Sequence, residues 1–343
     1  MPKYAILCNP GHNRVYFDES AKLSAAEFAI ASQNLGCGTA EPLTLAGTQY
    51  FAFESENPLG ERELAAVSGL SFVYAIFELV GEEPLLRPVL LPGCGLIDPK
   101  ISSMLKYTGK TNEIFTRMMI NVALHSSVFS NSEKIRLIDP IAGKGTTLFE
   151  GLIRGFDVCG IEIGSKVAGE TYHFFKKFLE TEKLKHNSST ERFSGANKSF
   201  TSTRYSFEFA RSREELKSNP QNFELIAGDS RYADKFYTKA RFHLIIGDLP
   251  YGVQHSNVTG ENQSSKTRNP AELLSVCLPA WKNTLLRGGA ICLSWNNFLL
   301  SRPAMSDILS SNGFCVYDSE SYLQFEHRVD QAIRRDIIVA TKK

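Results

Sequence analysis

The sequence has no uninterrupted apolar run of about 18 residues, the length a membrane-spanning helix needs, so no span is expected. Its opening, MPKYAILCNPGHNR, lacks the basic, apolar and small-residue succession of a secretory signal. The seven cysteines (Cys8, Cys37, Cys94, Cys159, Cys277, Cys292 and Cys315) are odd in number and form no CxxC pair. Neither a disulfide framework nor a zinc site is therefore indicated. Several of them sit in apolar, strand-like runs, where a cysteine behaves as a small buried hydrophobe. A cytoplasmic protein is expected. No internal repeat is visible. A strong excess of one charge is also missing, since the net charge is only +1. The charge is unevenly divided: residues 1–100 hold 6 basic and 12 acidic side chains, and the remainder holds 32 and 25. A polyanion would prefer the C-terminal part, although an ordinary solvated surface reads the same way.

What is present suffices for two compact domains, with 343 residues of which 43% are hydrophobic. Lys3–Asn9, Leu43–Ala46, Tyr50–Glu54 and Phe72–Val80 read as strands, and Leu23–Asn34 and Gly60–Val67 as helices. The order βαββαβ predicts a small α+β, ferredoxin-like domain over residues 1–95. Pro88, Pro92, Gly93, Gly95 and Pro99 punctuate a linker, and a leading helix runs from Glu113 to about Phe129, together spanning 96–130. From 131 to 343 strands and helices alternate. Ile135–Ile138, Val158–Ile163, Phe223–Ala227, His243–Ile246, Ala290–Trp295, Phe314–Tyr317 and Asp336–Ala340 predict a doubly wound, Rossmann-like α/β sheet of seven strands. Two polar stretches, His186–Ser202 and His255–Asn269, read as exposed loops.

The strand Leu137-Ile138-Asp139 runs into Pro140-Ile141-Ala142-Gly143-Lys144-Gly145-Thr146-Thr147, a glycine turn opening a helix. Glycine lets backbone approach a ligand where a side chain would collide, and free N–H groups at the helix start favour a carboxylate. A Walker A loop fails here because Gly145 follows Lys144, and Gly109-Lys110-Thr111 fails because position 104 is Met104. A dinucleotide fingerprint fails at Leu148. An adenosylmethionine turn remains, beside the plainer reading of a structural turn. Its candidate cofactor residues are Asp139, Ala142, Gly143, Gly145, Thr146 and Thr147. Glu162 ends the next strand, where a carboxylate can accept both hydroxyl protons of a ribose. Asp229, followed by Ser230, ends the third and is placed to accept from an adenine amino group. Each acid alone reads equally as a solvated strand end.

The fourth strand ends in Asp248-Leu249-Pro250-Tyr251-Gly252. An aromatic exocyclic amine is a poor nucleophile because its lone pair is delocalised into the ring. The Asp248 carboxylate and the Pro250 carbonyl, aimed at its protons, would favour a pyramidal nitrogen, and Tyr251 could stack on an extruded base. A simple Pro-Tyr-Gly turn is the bland alternative.

DPIAGKGTTLFEGLIRGFDVCGIEI followed by GDLPYG resembles the RNA methylase family that includes the THUMP-associated tRNA guanosine-N2 methyltransferases. The similarity covers roughly residues 104–343 and implies a class I methyltransferase domain using S-adenosyl-L-methionine. By the same resemblance, Lys106–Thr116 precedes the first strand and puts Phe115 and Thr116 beside the cofactor. The family's acceptor motif is often Asp-Pro-Pro-Tyr, whereas Leu249 stands here. The N-terminal domain is shorter than a THUMP unit with its companion, and acidic, so it corresponds at most to a reduced THUMP-type RNA-binding unit. The implied activity is N-methylation of an exocyclic base amine in RNA, with guanosine N2 in tRNA as the leading target and no metal required. A DNA adenine-N6 or cytosine-N4 methyltransferase and a non-catalytic cofactor-binding partner subunit are the alternatives. Arg231, Gln254, His255, Lys266 and Arg268 are candidate substrate contacts, with Lys266 and Arg268 suited to phosphate. Arg334 and Arg335 are placed to face nucleic acid as well.

Overall fold

The computed structural model describes residues 1–9, 14–81, 85–92, 95–105, 110–250 and 269–343. The N-terminal unit comprises β1 (Lys3–Cys8), α1 (Arg14–Ser32), β2 (Glu41–Leu45), β3 (Thr48–Glu54), α2 (Glu61–Ser68), β4 (Val73–Val80) and β5 (Leu85–Pro88). Its strands form one antiparallel sheet in the order β2-β3-β1-β4-β5. Tyr4, Ile6, Phe51, Phe53 and Ile76 pack with Phe28 of α1 and Val67 of α2 as its core. β5 was not expected, because Pro88 reads as a linker residue. Pro88 is tolerated there because β5 is an edge strand, where the missing N–H need not serve a ladder.

The larger unit continues with α3 (Lys100–Met104), α4 (Glu113–Ser126), β6 (Arg136–Asp139), α5 (Thr146–Ile153), β7 (Asp157–Glu162) and α6 (Ser165–Thr181). A hairpin of β8 (Lys185–Ser194) and β9 (Thr201–Ala210) follows, then α7 (Arg213–Ser218), β10 (Gln221–Ala227), α8 (Ala233–Phe236) and β11 (Phe242–Asp248). The chain closes with α9 (Pro270–Thr284), β12 (Leu285–Asn296), α10 (Arg302–Ser311), β13 (Phe314–Val316), β14 (His327–Arg328) and β15 (Arg334–Lys342). Among the described residues no helix is long and apolar enough to cross a membrane.

The large sheet is mixed and runs β13-β15-β12-β11-β6-β7-β10-β9-β8, with β14 beside β15. β10, β7, β6, β11 and β12 are mutually parallel, while β15 and β9 join antiparallel. The parallel strands are buried on both faces, which explains their continuous apolar runs such as Leu244-Ile245-Ile246. All seven runs read from the sequence lie on strands, but the sheet holds ten among the described residues, so that count is corrected. Two of the extra strands form the β8–β9 hairpin, which includes the polar stretch His186–Ser202 read as a loop. β8 is an edge strand whose residues are almost all exposed, so it lacks the alternation that marks a half-buried strand. β9 instead sends Phe207 and Phe209 into the core, where Phe207 and Phe223 stand 5.9 Å apart and Phe175 and Phe223 stack at 4.7 Å.

Helix α4 joins the two units. Asn112 caps it by accepting from the Ile114 amide at 2.8 Å, and every residue from Met118 to His125 is buried. One side of α1 (Leu23, Ala26, Ile30) shares the core of α4 and the large sheet, while Phe28 and Ala31 belong to the N-terminal core. At that junction Glu27 accepts from the Ser71 amide at 2.9 Å, from the Ser71 hydroxyl, and from Asn121 Nδ2 of α4 at 2.7 Å. Burial raises the Glu27 pKa, and these donors oppose that rise. The acidic unit is thus fastened to the larger one by a satisfied buried carboxylate as well as by apolar packing.

Candidate active site

In this sheet the chain moves outward from β6 in both directions, to β7 and β10 on one side and to β11 and β12 on the other. Such a reversal of strand order opens a crevice at the carboxyl ends of the central strands. There a cavity of about 300 Å³ is lined by Thr111, Thr116, Met119, Asp139, Ile141, Ala142, Gly143, Lys144, Thr146, Thr147, Glu162, Val167 and Asp248.

The glycine turn forms its floor. Gly143 and Gly145 have φ of +51° and +86°, a left-handed backbone that favours glycine. A side chain at Gly143 would meet nothing within 4 Å, so the backbone there borders open space. The Gly145 amide donates to the Ala142 carbonyl at 2.8 Å, and Gly145 caps α5, whose first residues Thr146 and Thr147 face the cavity. On β7, a Cβ at Gly160 would lie 3.0 Å from Ala142 Cβ and 2.7 Å from Leu148 Cδ1. The bare backbone at Gly160 lets the turn sit down on the sheet.

Glu162 ties the turn to the second strand. One carboxylate oxygen accepts from the Gly143 amide at 3.0 Å and the other from the Gly164 amide at 2.6 Å. A carboxylate has about four acceptor positions, so two amides fix its orientation without exhausting it. Burial raises its pKa, and the two amides oppose that rise.

Asp139 is buried beneath the turn and accepts from the Ile141 amide at 3.0 Å. Burial, with repulsion from Asp248 and Glu162, pushes its carboxyl up to about 7 against hydrogen bonds from Thr147 and Ile141. The folded value thus exceeds the ordinary 3.8, so the native state retains this proton where the unfolded chain has lost it. The stability contributed by this group is fully present below the unfolded value and is lost as pH rises to about 7. Asp139→Asn is expected to gain stability relative to the parent as pH rises through that window and to hold the gain above it. Thermal melts of both proteins across the range check this, and parallel profiles would refute it.

Asp248 ends β11 beside Ser294 of β12 in the ladder. The Ser294 hydroxyl donates to one carboxylate oxygen, and the Thr111 hydroxyl, from the segment ahead of α4, donates to the other. The Leu249 amide donates to the Ser294 carbonyl at 2.8 Å. Leu249 is fully buried in the second core cluster, so its side chain anchors the chain directly after Asp248.

Several sequence candidates are not brought here. Phe115 does not line the cavity: its buried ring packs against His327 at 5.2 Å with the Arg335 guanidinium 4.7 Å from its centre. Arg335 is accordingly a buried residue within β15 and does not face a polyanion. Arg334 is half exposed and pairs with Glu326 at 2.9 Å. Asp229 lies two residues beyond Ala227, the ladder neighbour of Glu162, and is engaged by the Arg231 amide and Nε, both at 3.0 Å. Ser230 is turned inward toward Trp281 Nε1 at 3.3 Å. Arg231, held by Asp229 and lying 5.5 Å from the Tyr232 ring centre, is also outside the lining. Pro250, two residues beyond Asp248, is partly buried. Tyr251, Gln254, His255, Lys266 and Arg268 lie outside the described residues. Sequence reasoning missed Thr111, Met119, Ile141, Lys144, Val167 and Ser294. Ile141 and Lys144 lie inside the glycine-turn segment and Thr111 inside the Lys106–Thr116 stretch, and those segments were the available signal.

No family model matches the chain, and no curated protein matches it. Solved structures with a related arrangement include the fibrillarin pre-rRNA processing protein of Methanococcus jannaschii, at 13% identity and TM-score 0.39, covering 79% of this chain and 95% of that one. An rRNA methylase from Streptococcus thermophilus has 9% identity and TM-score 0.37, covering 69% and 99%. A TehB-like SAM-dependent methyltransferase from Corynebacterium glutamicum has 12% identity and TM-score 0.34, covering 61% and 80%. With TM-scores below 0.5 these likenesses carry no argument, and the site stands on its own geometry.

Proposed function

We propose that the chain is an S-adenosyl-L-methionine-dependent N-methyltransferase acting on an exocyclic base amine of RNA, with guanosine N2 in tRNA as the target. One observation carries this reading: Asp139, Glu162 and Asp248 converge on a single cavity floored by a glycine turn. Glu162 and Asp248 present carboxylates to the cavity, and the one cation among its described lining residues, Lys144, pairs with Glu170 at 3.4 Å. A cationic ligand that also carries a diol and a carboxylate suits such a lining. Glu162 would hold the ribose hydroxyls, and the α5 N-terminus would receive the methionine carboxylate. Ile141, Met119 and Val167 supply apolar walls. When bound, the cofactor supplies an activated methyl on a sulfonium centre.

The protein's own contribution is orientation and proton handling. Thr111 and Ser294 fix both oxygens of Asp248. Asp248 accepts a hydrogen bond from the amine, localises the nitrogen lone pair and receives the proton released on transfer. Holding the two reacting centres in line supplies a large share of the acceleration. In this scheme the Pro250 carbonyl takes the second amine proton and Tyr251 stacks on the base. The N-terminal unit would be a ferredoxin-like, reduced RNA-binding module.

Transfer of a radiolabelled methyl group to unmodified tRNA, followed by nucleoside analysis, tests the proposal. N2-methylguanosine is the expected product, whereas label on DNA alone would overturn the choice of RNA.

A further inference from the structure

A second cavity opens on the same edge of the sheet. It measures about 390 Å³ and is lined by Lys22, Phe298, Glu326, His327, Arg328, Asp330, Gln331 and Arg334. Lys22 belongs to α1 of the N-terminal unit, and the other residues follow β12 or lie on or beside β14 and the start of β15. Because β15 runs antiparallel to β12, its first residues lie at the carboxyl edge, as Asp248 does. His327 packs on Phe115, while the next residue of α4, Thr116, lines the central cavity. The two cavities are thus linked through the contact of His327 with α4. Phe298 lies four residues beyond Ser294, the ladder partner of Asp248, so it is within roughly 13 Å of that position along the chain.

The lining combines an aromatic ring with cations. Phe298 is 64% exposed, unusual for so large an apolar side chain, yet its backbone is held firmly. The buried Asn296 side chain accepts from the Phe298 amide at 3.3 Å and the Arg334 amide at 3.1 Å, and donates to the Ala332 carbonyl at 3.0 Å. Both nearby carboxylates are engaged: Glu326 by Arg334 and Asn297, and Asp330 by the Ala332 amide at 2.7 Å. Lys22 donates to the Glu326 carbonyl at 3.5 Å, and Arg328 Nε donates to the Asp330 carbonyl at 3.1 Å, and among the described residues no carboxylate pairs with either. A rigidly presented ring beside cations is the combination that grips single-stranded nucleic acid, through base stacking and phosphate contact.

We propose that this second cavity holds the RNA strand next to the target nucleotide, with Phe298 stacking on a neighbouring base and Lys22 and Arg328 contacting phosphates. The proposal rests on the methyltransferase reading of the central cavity. It gives the N-terminal unit a part in substrate binding through Lys22.

The test uses the full chain with unmodified bulk tRNA for turnover and a fluorescein-labelled oligouridine for binding. Phe298→Ala is expected to weaken oligouridine binding and raise the KM for tRNA about 10-fold, with kcat and S-adenosyl-L-methionine affinity unchanged. The double variant Lys22→Ala/Arg328→Ala should flatten the log affinity against log salt slope by about 0.7 per charge removed. Lys239→Ala, just ahead of β11 at the opposite edge of the sheet, should leave that slope unchanged. If the parent methylates tRNA but these variants match it, or Lys239→Ala flattens the slope as much per charge, the second cavity is not the RNA site. If the parent transfers no methyl group to RNA, the reading of the central cavity fails and this proposal fails with it.

Discussion

Asp248→Ala is expected to lower turnover by roughly 10³-fold or more, the range for removing a positioned proton acceptor, while cofactor affinity changes by no more than a few fold. The carboxylate is held by two hydroxyls from distant parts of the chain. Its removal leaves both donors in place but takes away the acceptor facing the amine. Asp248→Asn keeps the shape and replaces one acceptor oxygen with a donor, so it should be nearly as damaging. Single-turnover assays with saturating S-adenosyl-L-methionine separate this loss from a binding defect. Full activity in Asp248→Ala would remove the proposed chemistry and favour a cofactor-binding partner subunit.

Glu162→Ala should have the opposite profile. Its carboxylate would supply charge-assisted hydrogen bonds to a ribose diol, each contributing about 1.5–3 kcal/mol. It also accepts the Gly143 and Gly164 amides that shape the turn. Loss of both functions predicts S-adenosyl-L-methionine binding about 10²-fold weaker or worse. Glu162→Gln, which can still accept from one amide, should fall between the parent and the alanine variant. Calorimetric titration of the three proteins checks the order. Equal affinities would mean that the ribose is held elsewhere.

The parts of this molecule that were legible in the sequence are those where burial is continuous. Leu244-Ile245-Ile246 and Ala290–Trp295 announce parallel strands because both faces are covered by helices. The positive φ at Gly143 and Gly145 matches a glycine turn read from the strand-turn-helix order of Leu137–Thr147. β8 was not legible, since an exposed polar edge strand carries no hydrophobic period, and it is ordered by its ladder to β9. The supports of Asp248 were equally hidden. Thr111 is 137 positions away and Ser294 is 46 away, so only the folded sheet brings them together. Phe115 shows the reverse situation. It neighbours a cavity residue in sequence, but helical geometry turns it toward His327 while Thr116 faces the site.

A crystal structure of the full chain with S-adenosylhomocysteine tests the central claim most directly. It is predicted to show the ribose hydroxyls hydrogen-bonded to Glu162, the amino-acid end over Gly143, and the sulfur facing Asp248 across the cavity. Ligand bound elsewhere on the protein, or a sulfur directed away from Asp248, would contradict it.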